Sequence, residues 1–385
     1  MKRVGISGIG LVSPFGFGMD LFESGLYSGK CAMSPITRFD ASGFRTQIAG
    51  EVNRNVLHSK ESIAKQFLSF AMNEAIESAG LCEDNTKHLR TGLIIPVITG
   101  PGNGALKSEA AEWIMDPEFD IPTSLFQRKK IIRPTSACAS IGTALSIGYS
   151  MIRYGQLDLA VIARAEVFNQ YDFASLDIVK AITKTEARPF DSKRNGIAIG
   201  EGAGVILLES ADSLEKREQQ PQAWLDGASC TTGGERQNMI DLDKGKVVKS
   251  IQTSLRMSGV SKPDYIHAHA TGTMQGDLVE SEALVNTILD GISIPISSHK
   301  GACGHLLRCS GFLGTAAALL ALKLQCIPPT AGLEEVDPKI TANIVKEKKF
   351  SKVTCVLVNN FGFCGNYASY MIHHPKTEWK GGSLN

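Results

Sequence analysis

The 385-residue chain has no CxxC pair, no apolar run of bilayer length and almost no net charge. Each absence removes a class of protein. The nine cysteines, at positions 31, 82, 138, 230, 303, 309, 326, 355 and 364, are odd in number and scattered. That argues against a disulfide framework and against a zinc ribbon, and most of them read as small buried hydrophobes in a reducing cytoplasm. Forty Lys and Arg stand against 39 Asp and Glu, a formal charge of +1, so no global field invites nucleic acid. The longest apolar run, Gly311 to Leu322, is shorter than the roughly 20 residues a bilayer span needs. The opening MKRVGISGIGLVS enters a strand-like run directly, so no signal peptide and no membrane insertion are expected. Two glycine signatures are also missing. Ser13 stands where the Gly8-x-Gly10 pattern would need a third dinucleotide-loop glycine, and no G-x-S-x-G elbow occurs.

What remains is an alternation of strand-like and helix-like stretches. Runs such as LDLAVIARAE, GVILLES, VTCVLVNNFG and YASYMIHH alternate with SIAKQFLSFAMNEAIESAG and CASIGTALSIGYSMIRYG, which have helical period. The pattern predicts an α/β protein with a buried sheet. The charged, glutamine-rich stretch 210–222 is the best seam. It divides the chain into an N-terminal half, 1–212, and a C-terminal half, 222–375, with a frayed tail at 376–385. The halves echo each other: SACASIGTALSIGY in the first resembles GACGHLLRCSGFLGTAAALLALKLQ in the second. Both are small-residue turns followed by apolar helices, which suggests a duplicated unit with two packed central helices.

Four segments carry polar groups that packing does not require. SACAS places Cys138 at a turn-to-helix transition, where free N–H groups and the macrodipole favour a thiolate. Taken alone, Cys138 reads more readily as a packed structural cysteine than as a nucleophile, and only the other motifs reverse that order. HAHATGT holds His267, His269, Thr271 and Thr273; SSHKGACGHLL holds His299, Lys300 and His305; NNFGFCGNYAS is a glycine-punctuated turn. His267 reads as structural, His299 as incidental, and Cys303 and Cys309 as helix packing. The H-x-H pair lacks a third ligand at useful spacing, so no metal is expected.

These segments resemble the β-ketoacyl-acyl carrier protein synthases of the thiolase superfamily over nearly the whole chain. TSACAS, HAHATGTMQGDLVE, KGACGHLL, NFGFCGN and RPFDSKRNGIAIGEGAGVILLE (188–209) match five ordered family motifs. The resemblance implies a thiolase-like fold of duplicated halves in an α-β-α-β-α arrangement. It also implies Cys138 as the acyl-accepting nucleophile, His269 and His305 as paired catalytic histidines, and Lys300 as their support. Thr271 and Thr273 would line the phosphopantetheine tunnel. The N–H groups of Cys138 and Phe363 would form the oxyanion hole, with the Phe363 ring gating the acyl pocket. The implied reaction is decarboxylative condensation of malonyl-carrier with an acyl thioester on Cys138, which needs no cofactor. The implied partners are an acidic acyl carrier protein and a second subunit, in a homodimer or a ketosynthase heterodimer. A basic rim for the carrier has candidates in Lys60, Lys65, Arg128, Lys129 and Lys130.

Several positions depart from the family pattern. Ala270 replaces a glycine, Gly314 stands where a lysine-pairing glutamate is expected, and Cys364, Asn366 and Tyr367 alter the FGFGG loop. ARAE (163–166) and RNG (194–196) are altered as well, and the stretch before the nucleophile is short. Lys300 is therefore expected to lean on Asp277 or Glu280, and the enzyme to serve a specialised fatty-acid, polyketide or polyene pathway. A non-catalytic chain-length-factor-like partner subunit is the alternative of a different class. A malonyl-carrier decarboxylase and a thiolase acting on CoA esters fit the motifs less well.

Overall fold

The computed structural model describes residues 1–55, 57, 62–97, 125–126, 129–233, 242–289 and 292–379. Strand β1 (Val4–Ser13) opens the first half, followed by β2 (Thr91–Ile94), β3 (Lys129–Ile132), β4 (Leu159–Glu166) and β5 (Gly202–Ser210). The second half contributes β6 (Ala223–Thr232), β7 (Tyr265–His267), β8 (Pro295–Ser297), β9 (Asn343–Ile344), β10 (Cys355–Gly362) and β11 (Asn366–His373). Their spatial order is β9-β8-β7-β10-β11-β6-β1-β5-β4-β2-β3.

The duplication lies in that order. Within the first half the strands run β3-β2-β4-β5-β1, and within the second β8-β7-β10-β11-β6. The β2–β4 and β7–β10 pairs are parallel, while β4–β5, β5–β1, β10–β11 and β11–β6 are antiparallel. The two halves meet through a short antiparallel register of β1 with β6, Val4 opposite Leu225. The seam at 210–222 holds a short helix, Ala211–Lys216, leading into β6, a strand the periodicity did not single out.

Five helices complete the layers. Helix α1 (Ile63–Ser78) covers the outer face of the first half's sheet. Helices α3 (Lys244–Ser258) and α4 (Met274–Thr287) cover that of the second. Between the sheets lie α2 (Ser140–Arg153) and α5 (Ser310–Leu324), which touch strands of both halves. This is the layered α-β-α-β-α order of a thiolase-like fold. The segment Leu307–Leu324 has the length and composition of a membrane span, but it is a core helix, 83% buried.

The small residues that first drew attention are explained by close approach. The Gly8-x-Gly10 pair lies in β1, where an added Cβ would run into the α1 carbonyls of Ala75 and Ala71. The glycines therefore seat a helix on a strand. Gly10→Val is expected to lower stability by roughly 3 kcal/mol through overpacking. Gly43→Ala, with open space around it, should stay within about 0.5 kcal/mol, and thermal melts of the two variants check both values.

At the tail, the Thr377 carbonyl accepts from Arg3 Nη1 at 2.8 Å and Arg153 lies over the Trp379 ring. Residues 380–385 are outside the described residues.

Candidate active site

The two echoing segments become two similar turn-to-helix devices. A 3-10 turn, Ala137–Ala139, leads into α2, and a second, Leu307–Cys309, leads into α5. Each turn begins on a left-handed residue, Ala137 at φ 46° and Leu307 at φ 47°. A non-glycine residue held there is strained, and the strain sits beside Cys138 and just after His305. Asn360 clamps the first turn: its Nδ2 donates to the Cys138 carbonyl at 3.0 Å, and its Oδ1 accepts from the Gly142 N–H at 2.9 Å. Gly362 closes against the same turn, since a Cβ there would lie 2.9 Å from Cys138 N.

His269 follows the end of β7. Its N–H and that of Ala270 donate to Glu280 of α4 at 2.9 and 2.8 Å, and Asn359 Nδ2 donates to the same carboxylate at 2.9 Å. The Phe361 N–H donates to His269 Nδ1 at 3.2 Å. A backbone N–H only donates, so Nδ1 is the bare nitrogen and Nε2 carries the proton. His305 Nδ1 lies 2.8 Å from the Ser310 hydroxyl. The His305 N–H donates to the Ala198 carbonyl at 2.7 Å, which ties the histidine to the 188–209 segment. That segment also holds the threonine loop: the Gly196 N–H donates to Gly272 O, and the Phe190 N–H to Asp277 Oδ2. The RPFD-to-EGAG stretch is thus the bed on which both histidine loops rest.

Cys138, His269, His305, Thr271, Thr273 and Phe363 line one narrow cavity of about 40 Å³. The two imidazoles meet nearly edge to face, with ring centres 5.6 Å apart and planes at 86°. Lys300 stands behind them, and its Nζ donates to the His269 carbonyl. The partner expected for it is different in kind. Among the described residues neither Asp277 nor Glu280 forms an ion pair with Lys300; Glu280 is spent on three N–H donors and acts on the lysine through space.

Burial sets the protonation states. Desolvation and the nearby Lys300 hold His269 and His305 well below the ordinary imidazole value, so both are neutral at physiological pH. Desolvation lowers Lys300 to about 8, against the pull of Glu280. It also pushes the Cys138 thiol up to about 11, although Arg308 and Lys300 oppose the shift. The expectation that the helix start would favour a resting thiolate is therefore corrected. Loss of water around the sulfur outweighs the turn's dipole, and the half-buried thiol rests protonated.

Arg308 is a site residue that motif reasoning passed over. Its turn packs against the Cys138 turn. Its Nε donates to Glu166 Oε2 at 2.9 Å, with Asp172 at 3.7 Å, so the cation is anchored near the sulfur. Arg308→Gln removes that cation and leaves Glu166 to raise the thiol further. Alkylation of Cys138 at about pH 8 should slow roughly tenfold, while Arg308→Lys retains most of the wild-type rate. Mass-resolved iodoacetamide kinetics across pH check this.

His267 is a buried, hydrogen-bonded structural residue as read, whereas His299 is not incidental. His299 is fully buried, and its Nδ1 lies 2.8 Å from His267 Nε2. Of the proposed basic rim, Lys60, Arg128 and the Lys129 side chain lie outside the described residues. Lys65 is on α1, and Lys130 is exposed on β3. The short stretch before the nucleophile lies mostly outside the described residues as well.

Comparison with known proteins places this geometry. Residues 131–213 match the family model described as "Beta-ketoacyl synthase, N-terminal domain", and residues 222–334 match "Beta-ketoacyl synthase, C-terminal domain". A 3-oxoacyl-[acyl-carrier-protein] synthase 2 from Coxiella burnetii is 29% identical, covering 96% of this chain and 98% of that protein. A granaticin polyketide putative beta-ketoacyl synthase 1 from Streptomyces violaceoruber is 26% identical, covering 97% and 99%. The solved ishigamide ketosynthase/chain length factor superposes with a TM-score of 0.84 at 29% identity, over 97% of this chain and 99% of that one. A beta-ketoacyl synthase structure from Burkholderia phymatum gives 0.85 at 25% identity, over 97% and 100%. With a thiol and two neutral imidazoles lining one cavity on this fold, the chain belongs to the β-ketoacyl synthase family, whose members act in fatty-acid and polyketide synthesis.

Proposed function

We propose that the protein is an active condensing enzyme which joins two carbons of a malonyl-carrier thioester to an acyl group held on Cys138. The carrying observation is that the thiol and two neutral imidazoles, one with its Nε2–H fixed by a backbone donor, line the same cavity. In the first step Cys138 Sγ attacks the acyl thioester carbon, and the carrier's pantetheine sulfur leaves with the thiol proton. Exchange between two sulfurs is close to neutral in energy, so a thiol suits the task. The N–H groups of Cys138 and Phe363 stabilise the oxyanion of this step. Thr271 and Thr273 line the pantetheine's approach, and the Phe363 ring gates the acyl pocket.

In the second step malonyl loses CO2. The electrons of the broken C–C bond pass to the thioester oxygen, where His269 and His305 donate through Nε2–H. The enolate carbon then attacks acyl-Cys138, expels the sulfur and leaves a 3-oxoacyl-carrier two carbons longer, and the sulfur regains one proton. Lys300 supports the pair through the His269 carbonyl.

We assign the partners as an acyl carrier protein and a second ketosynthase-type subunit, identical or not. The departures from the family pattern at Ala270, Gly314 and the Cys364–Tyr367 loop support a specialised pathway over housekeeping elongation. A partner subunit without chemistry of its own would have no use for a nucleophile and an oriented donor in one cavity.

Reconstitution tests the reading. Acyl-carrier and malonyl-carrier incubated with the protein, and with a co-purified partner subunit where one exists, should yield CO2 and 3-oxoacyl-carrier in equal amounts. Absence of both products under every acyl chain length supplied would refute it.

A further inference from the structure

Behind the two histidines that face the cavity lies a second pair that the proposed reaction does not use. The Tyr265 hydroxyl bonds both Ser297 Oγ and His267 Nδ1, each at 2.7 Å. His267 Nε2 meets His299 Nδ1 at 2.8 Å, with the two ring planes within 5° of parallel. All four residues are fully buried. At the end of this string His299 Nε2 is buried and has no hydrogen-bond partner. Buried polar atoms are rarely left so, and the exceptions call for an explanation.

The surroundings supply one. Gly314 of α5 presents no side chain; a Cβ there would stand 3.3 Å from Val358 Cγ1 and 3.5 Å from His267 Cδ2. The His267 ring thus fills the ground beside the bare helix position. His299 directly precedes Lys300, and Lys300 is the charge that acts most strongly on it. Among the described residues Lys300 makes no ion pair, and its Nζ donates to the His269 carbonyl oxygen. The other groups in its field are Glu280 and Asp277 on α4 and Cys138 on the nucleophile turn, while His269, His305 and His267 each feel its charge.

We propose that the Tyr265–His267–His299 string is a positioning unit for Lys300, presenting the bare Nε2 lone pair of His299 toward the buried ammonium where a counter-ion would otherwise stand. The polarity follows from electrostatics. A cation beside Nε2 repels an N–H there and favours a lone pair, so His299 carries its proton on Nδ1 and donates it to His267 Nε2. His267 then also carries its proton on Nδ1 and donates to the Tyr265 oxygen, and the tyrosine hydroxyl donates to Ser297. Every member of the string is neutral, and desolvation, with Lys300 beside them, keeps both imidazoles far below their ordinary value.

The functional consequence rests on the condensing reading; the tautomer assignment does not. Selective 15N-histidine labelling of the intact protein, with its eight histidines assigned by single substitutions, reports which ring nitrogen carries each proton. The expected result is the Nδ1–H form for both His267 and His299 at pH 7. Finding Nε2–H on both would overturn the proposal. The second arm follows malonyl-carrier decarboxylation against pH in wild type, His299→Leu and His299→Gln. Leucine removes the lone pair and should move the basic limb down by about one pH unit; glutamine, whose carbonyl restores an acceptor, should return most of it. An unmoved limb in a leucine variant with wild-type circular dichroism would refute the role in positioning. If no decarboxylation occurs at all, the proposed function fails while the tautomer result still stands or falls alone.

Discussion

Cys138→Ala is expected to abolish the acyl-enzyme, with acyl transfer from a carrier thioester falling by at least about a thousandfold. No neighbour can take over. Cys303 and Cys309, near in sequence to His305, are fully buried and do not line the cavity. Water cannot substitute without releasing the acyl group as free acid. The fold should tolerate the change, because Asn360 grips the turn through the Cys138 carbonyl and the Gly142 N–H rather than through the sulfur. A melting temperature close to wild type, with no acyl adduct by intact mass, is the expected pair of results. Acyl adduct persisting in the alanine variant would remove the nucleophile from its place.

His269→Ala and His305→Ala should separate the two half-reactions. On the proposed mechanism each removes one donor to the enolate oxygen, and loss of one such donor costs roughly a hundred- to a thousandfold in the step it serves. Decarboxylation and condensation should fall by that factor, while acylation of Cys138 falls much less. His269 has the sharper argument, because the Phe361 N–H at Nδ1 fixes its proton on Nε2. At His305 the Ser310 hydroxyl does the same when it donates to Nδ1. Both rings stay neutral because burial and Lys300 hold them far below their ordinary value, so lowering pH to about 6 should not switch them into cations. Pre-acylated enzyme mixed with labelled malonyl-carrier measures the second half-reaction alone. Equal loss of acylation and condensation would place the histidines elsewhere in the cycle.

Much of this site was legible in the sequence, and the reason is physical. The Cys138 turn, two histidine loops and a glycine-rich hairpin each demand particular small residues at particular offsets. Those demands leave short ordered strings such as SACAS and GHLL. The echo between SACASIGTAL and CGHLLRCSGF reflects a real constraint, a strained residue, a 3-10 turn and a helix that must fit between two sheets. Strand β6 escaped notice because AWLDGASCTT lacks alternation: most of it is buried on both faces, and no period-two signal survives.

The electrostatics were the illegible part. A helix start read from sequence suggested a thiolate, but desolvation is a property of the folded surroundings and reversed the sign for Cys138. Glu280, one of the two partners expected for Lys300, acts on it through space and not as an ion pair, again for reasons set by the folded surroundings. A buried carboxylate next to a lysine suggests an ion pair, yet this one is saturated by two backbone N–H groups and Asn359. His299 gave no signal at all. Its significance depends on the absence of a side chain at Gly314, fifteen residues away in sequence, and on a hydrogen bond to a residue on another strand.

The most direct test follows a labelled acyl group through one turnover on the wild-type protein. After incubation with an acyl-carrier thioester, peptide mapping should find the acyl mass on the fragment containing Cys138 and on none of the other eight cysteines. A chase with malonyl-carrier should clear that mass and release a product two carbons longer. An acyl group found on a different cysteine, or one on Cys138 that the malonyl chase leaves in place, would contradict the account.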